Sequence, residues 1–220
     1  MRIAVALLVG AVLVVTPAVA QVPSPPPTGP ETAAPEPPAS IAVGHPWDGR
    51  LVHGVQLPAA GPDFVTWDEV LHRSPNRGWR RWGTDELILT LEQVTREYRE
   101  AHPGVPRVLI SDLSREHGGP FGREYGGLGH ESHQNGRDAD VMYPRRDRTL
   151  RAATRPSQVD RVLAQDLVDR FLAAGAVKLF VGLHVGLHGP HKIVEAISFH
   201  DDHVHVRIAN PPRATGRDVK

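Results

Sequence analysis

The run HVHVRI at 203–208 alternates titratable and aliphatic residues, and no other stretch limits so tightly how the chain can fold. A period of two belongs to a β-strand, so His203 and His205 leave one face while Val204 and Val206 face the core. Two imidazoles on one strand face can converge on a single point. DADVMYP at 138–144 alternates in the same way, with Asp138 and Asp140 sharing a face.

Around these runs the periodicity predicts a mixture of elements. GTDELILTLEQVTREYREAH (83–102) sets Leu87, Leu91, Val94 and Tyr98 at helical spacing. Thr84 is the N-cap, Asp85 and Glu86 favour the first turn, and Pro103-Gly104 stops the helix. SQVDRVLAQDLVDRFLAAG (157–175) predicts a second amphipathic helix with Gly175 as its C-cap. RVLISDLS, AVKLFVGL and the whole of AISFHDDHVHVRIA read as strands, and a Gly-rich loop fills 117–129. Helices and strands interleave without a βαβ repeat. The expected fold is therefore α+β: a single domain with a small antiparallel sheet carrying the site, flanked by helices.

The N-terminus reads differently. Met1-Arg2, the apolar run IAVALLVGAVLVV and TPAVA match a signal peptide over 1–20, with small residues at Ala18 and Ala20 before the cleavage point. Residues 21–40 hold eight prolines and almost no large apolar side chain, which predicts a semi-extended linker. The folded domain is expected at 41–212, with a tail at 213–220. The mature protein is then exported, periplasmic or secreted, with no membrane span after cleavage.

Cysteine is absent, which excludes disulfides, thiolate metal sites and a lipid-modified cysteine anchor. Lys+Arg and Asp+Glu are both 25, so the chain lacks the positive field of a nucleic-acid binder. The anomaly is thirteen histidines. They gather in GHESHQNGRDAD (129–140) and HDDHVH (200–205), each beside carboxylates. Without thiolates, imidazole and carboxylate are the ligands left for zinc, and three of them leave one position open for water. His184, His188 and His191, in GLHVGLHGPHK, read as loop histidines because Gly182, Gly186 and Gly189 disfavour a helix. A second metal site on them is the less favoured reading. Trp82 reads as core, with Trp67 and Trp79 left open. Arg80 and Arg81 read as either a carboxylate clamp or a solvated turn.

SHQNGRDAD together with HDDHVHVRI resembles the zinc peptidases that share His-x6-Asp and His-x-His motifs: lysostaphin-type enzymes, D-Ala-D-Ala dipeptidases and murein endopeptidases. GRLVHGVQLP (49–58), RRWGTDELI (80–88), ISDLSREHGG (110–119) and GHESHQNGRDADV (129–141) are similar, in order, to segments of the penicillin-insensitive murein endopeptidase family. The resemblance spans roughly residues 40–210. It implies one Zn²⁺ per chain on His133, Asp140 and His205, and it selects Asp140 over Asp138. It assigns catalysis to His203, with His130 and His200 as additional active-site histidines, and leaves Glu131 and Asp138 as bystanders or supports. Members of the family contain disulfides, so here packing alone must supply the stability. The implied activity is hydrolysis of amide bonds in peptidoglycan cross-links. A zinc D,D- or L,D-carboxypeptidase or dipeptidase, and a non-catalytic wall-binding module with a structural metal, are the alternatives.

Overall fold

A computed structural model describes residues 39–122 and 131–210. The expected signal peptide, all but the end of the linker, the tail and His130 lie outside the described residues. The strands in chain order are β1 (Ile41–His45), β2 (Asp48–Val52), β3 (Val55–Gln56), β4 (Phe64–Thr66) and β5 (Trp82–Gly83). Helix α1 (Asp85–Ala101) follows, then β6 (Val108–Ile110), β7 (Asp138–Met142), α2 (Arg161–Ala173), β8 (Ala176–Gly182), β9 (Val194–Ile197) and β10 (His203–Ile208).

Six strands form the main sheet in the order β4-β6-β7-β10-β8-β9. Its four central strands run antiparallel, and β4 and β9 add a parallel edge on each side. The sheet is thus larger than the small antiparallel one expected. The fold is α+β as expected; of the two parallel edges only β4 was unforeseen, since β9 overlaps the start of a stretch read as strand. β1 and β2 make a separate hairpin, and β3 pairs with β5.

Helix α1 forms where its pattern demands it. The Thr84 side chain accepts from the Leu87 N–H, and the Ser40 hydroxyl accepts from the Asp85 N–H at 2.7 Å. Leu87, Leu91, Val94 and Tyr98 are buried along one stripe. Each such aliphatic side chain, fully buried, stabilises by about 1.5–3 kcal/mol. Helix α2 starts later than the expected 157, because Asp160 caps it by accepting from the Leu163 N–H, while 156–158 form only a short 3-10 turn. It stops at Ala173, with Gly175 one residue past the cap at φ +85°.

Both helices share one core with the inward face of the sheet: Ala139, Val141, Leu179, Val181, Val204 and Val206 are buried with them. The opposite face carries Asp138, Asp140, His203, His205 and Arg207. A smaller cluster of Val65, Trp67, Leu109, Met142 and Ala152 packs separately from that core. Trp67 is therefore a core residue, while Trp82, expected in the core, is only half-buried on β5. AISFHDDHVHVRIA is two strands rather than one, since residues 198–202 turn between β9 and β10.

Candidate metal centre

The pairing of β7 with β10 builds the site. Its register places His205 opposite Asp140 and Arg207 opposite Asp138, so their side chains meet on the same sheet face. His133 arrives from the turn before β7. Its backbone is left-handed, φ +71°, a conformation that histidine adopts more readily than most residues. Gly136, at φ +76°, closes this turn against Leu51 of β2; an added Cβ there would sit 2.7 Å from the Leu51 side chain. The hairpin also holds the turn from outside, through Gln134 N–H to the Pro46 carbonyl at 2.9 Å.

His133, Asp140 and His205 are all buried, and one ligand atom from each lies within 4.8 Å of the others. His133 Nε2 lies 3.3 Å from Asp140 Oδ2, and His205 Nδ1 lies 3.0 Å from Asp140 Oδ1. Burial pushes the Asp140 carboxyl up, but His133, His203 and His205 hold it well below the usual carboxylate range. Burial likewise opposes charge on His205, yet its contacts with Asp138 and Asp140 raise its pKa to about 9. A buried carboxylate faced by imidazoles offers the charge and the donor atoms that a divalent cation needs, and such an ion would displace the protons held there. The group fits a metal.

Asp138 is more than a bystander. Its fully buried carboxylate takes Arg207 in a fork, 2.7 Å to Nε and 3.0 Å to Nη2. It also accepts the His133 N–H at 3.2 Å, and its Oδ2 lies 3.5 Å from His205 Nε2. One carboxylate thereby ties the turn that carries His133 to the strand that carries His205. The arrangement leaves His205 Nδ1 facing Asp140, with Asp138 as the nearest charge to its other nitrogen. Glu131 is exposed.

His203 and His200 flank the group. His203 Nδ1–H donates to Asp202 Oδ1 at 2.7 Å, while its Nε2 lies 3.6 Å from Asp140. Burial disfavours its charged form, but Asp140 and Asp202 together raise its pKa above the usual histidine value. The His200 ring lies 4.7 Å from that of His203 and 6.1 Å from that of His205. Its Nδ1–H donates to the Ser198 carbonyl at 2.7 Å, and burial lowers its pKa. Asp201 instead holds His184, accepting from its backbone N–H at 3.0 Å and from Nδ1 at 2.7 Å. Among the described residues, His133, Asp140 and His205 are the group whose ligand atoms converge; His184, His188 and His191 are exposed loop residues.

Some participants carried no motif. Glu69 follows β4, and its buried Oε2 has no hydrogen-bond partner among the described residues. Burial first, then the nearby Asp202, raises its pKa to about 7. Arg80 is neither a substrate clamp nor a solvated turn: it is 2% exposed and paired with Asp112. The Asp112 carbonyl in turn accepts the Asp140 N–H at 2.9 Å, and Arg80 lies over the rings of Trp79 and Phe121. Phe121 meets His133 edge-on at 6.4 Å. A charge pair between residues 32 apart in the chain has no local pattern to reveal it.

A comparison with known families matches residues 42–187 to the penicillin-insensitive murein endopeptidases. No curated protein matches the chain. The matched span includes His133 and Asp140 and ends before His203 and His205, which the pairing of β10 with β7 brings to them. That span is well over half of the 220-residue chain, and the protein belongs to the penicillin-insensitive murein endopeptidase family.

Proposed function

We propose that this protein is an exported, zinc-dependent endopeptidase that hydrolyses amide bonds in the peptide cross-links of peptidoglycan. The observation that carries the reading is the buried convergence of His133, Asp140 and His205 in a chain of a murein endopeptidase family. Two imidazoles and one carboxylate suit Zn²⁺, and three protein ligands leave a position for water, as a catalytic rather than a structural site requires. When bound, the ion supplies an activated water and polarises the scissile carbonyl.

The remaining work falls to the chain's own side chains. Asp202 fixes the tautomer of His203 and aims its Nε2 at the site, where it can hold and return a proton. The Ser198 carbonyl fixes His200 with Nε2 as a bare acceptor in the neutral ring. A neutral His200 therefore accepts a proton, and hydrogen-bond donation to a developing oxyanion falls to protonated His203. His130, by the family resemblance, is an additional active-site histidine. No serine nucleophile takes part, so β-lactams that acylate serine leave the activity intact.

The proposed organisation is a signal peptide at 1–20, a linker at 21–40, the catalytic domain at 41–212 and a short tail. No helix among the described residues is long and apolar enough to cross a membrane. The test is digestion of purified cross-linked muropeptides by the zinc-loaded protein, read by mass spectrometry. Conversion of dimers to monomers is the expected outcome. Loss of a terminal residue with dimers intact would make it a carboxypeptidase, and unchanged muropeptides bound by a metal-loaded protein would make it a wall-binding module.

A further inference from the structure

The carboxylates that frame the candidate centre have basic partners, with one exception. Asp112 is paired with Arg80, Asp202 with His203, and Asp140 with His133 and His205. Glu69 has no such partner among the described residues: neither an ion pair nor a hydrogen bond reaches its carboxyl, and Oε2 is buried without a donor. A buried oxygen left without a donor costs the fold stability, so this carboxyl is not there to hold the structure together.

The chain brings Glu69 to the site face of the sheet. Trp67, just past β4, packs with Met142, which lies opposite His203 in the pairing of β7 with β10. Asp68 then fixes the turn: it accepts from the Val70 and Leu71 N–H groups at 3.0 and 2.9 Å and pairs with Arg77. Glu69 follows, half-buried, and the charges that act on it are those of the site: Asp202, His203, Asp112 and Asp140. Burial first, then these carboxylates, raise its pKa to about 7, so near neutral pH it gives up its proton readily to an arriving cation.

We propose that Glu69 is a specificity-determining residue: its carboxylate receives the free ammonium group of a diamino acid in the peptide stem while the cross-link amide lies at the metal centre. Charge selects this occupant. The surrounding carboxylates repel a peptide carboxylate, and a neutral sugar hydroxyl does not offset their charge. A cross-link between two stems uses a side-chain amine of one of them, and a diamino acid whose amine is not cross-linked carries an ammonium. In the sheet order β4 stands two strands from β7, about 10 Å away. The ammonium therefore belongs to a residue flanking the scissile amide rather than to the amide itself. This inference rests on the endopeptidase reading.

The test uses the zinc-loaded full chain on cross-linked muropeptides in two forms, one with the stem amine free and one with it N-acetylated. Wild type is expected to show a KM about tenfold higher for the acetylated form, with kcat unchanged. Glu69→Gln, with its zinc content unchanged, is expected to show the higher KM on both forms and so not to distinguish them. A wild type that cleaves both forms with the same KM overturns the inference while the endopeptidase reading stands. So does a Glu69→Gln variant that keeps the wild-type preference, or one that loses kcat equally on both forms. A wild-type protein that leaves both forms intact overturns both readings.

Discussion

At the scale of single residues, the site depends on which groups hold the imidazoles. Asp202 fixes His203, and Asp140 and Asp202 together raise its pKa against the effect of burial. Replacing Asp202 with Asn takes away one of the two raising charges, so the alkaline limb of the kcat profile, where His203 loses the proton it donates, moves to lower pH. The expected fall in kcat is about 10- to 100-fold with zinc content unchanged; an unaltered pH profile would remove Asp202 from this role. Glu69 behaves in the opposite sense to an ion-paired carboxylate. Its folded pKa of about 7 lies above the ordinary glutamate value of 4.5, so its contribution to stability is full below pH 4.5 and is lost as pH rises through 7. In metal-free protein, Glu69→Gln should therefore gain stability relative to wild type between pH 4.5 and pH 8, by about 1–2 kcal/mol after solvent screening. Urea denaturation at the two pH values measures this, and a gap that does not widen with pH contradicts it.

At the scale of elements, the centre is a cross-strand device. Asp140 and His205, the proposed ligands, face each other on β7 and β10, and the next pair along, Asp138 and Arg207, pins the register beside them. Asp138→Asn leaves Arg207 without its carboxylate in a largely buried position. It should cost about 3 kcal/mol in chemical denaturation and weaken zinc binding about 10- to 100-fold; wild-type zinc affinity in this variant would deny the support role. Parts of this device were legible in the sequence. The alternation of 203–208 and 138–142 exposed both strands and their shared polar faces, and α1 matched its cap and stripe because those signals are local. The choice between Asp138 and Asp140 was not legible from alternation, since both sit on one face and only the partner strand separates their roles. The break at 198–202 was hidden too, because Gly182 and His184 impose it from another part of the chain.

At the scale of the molecule, two apolar layers do the structural work. The helices cover one face of the six-stranded sheet, and the other face is left for chemistry, with the β1–β2 hairpin holding the His133 turn in place. A chain without cysteine is held by packing, here the continuous helix–sheet core, and its buried Arg80–Asp112 pair fixes the strand end beside Asp140. That pair joins residues far apart in sequence, so no local pattern announced it. The account as a whole turns on whether His133, Asp140 and His205 form one metal centre. The most direct measurement is the metal content of the purified protein after equilibration with zinc and removal of free ion, for wild type and for His205→Ala. One zinc per wild-type chain is predicted, with less than about a tenth of that retained by the variant. A wild-type chain without zinc, or a variant that keeps its full equivalent, would contradict it.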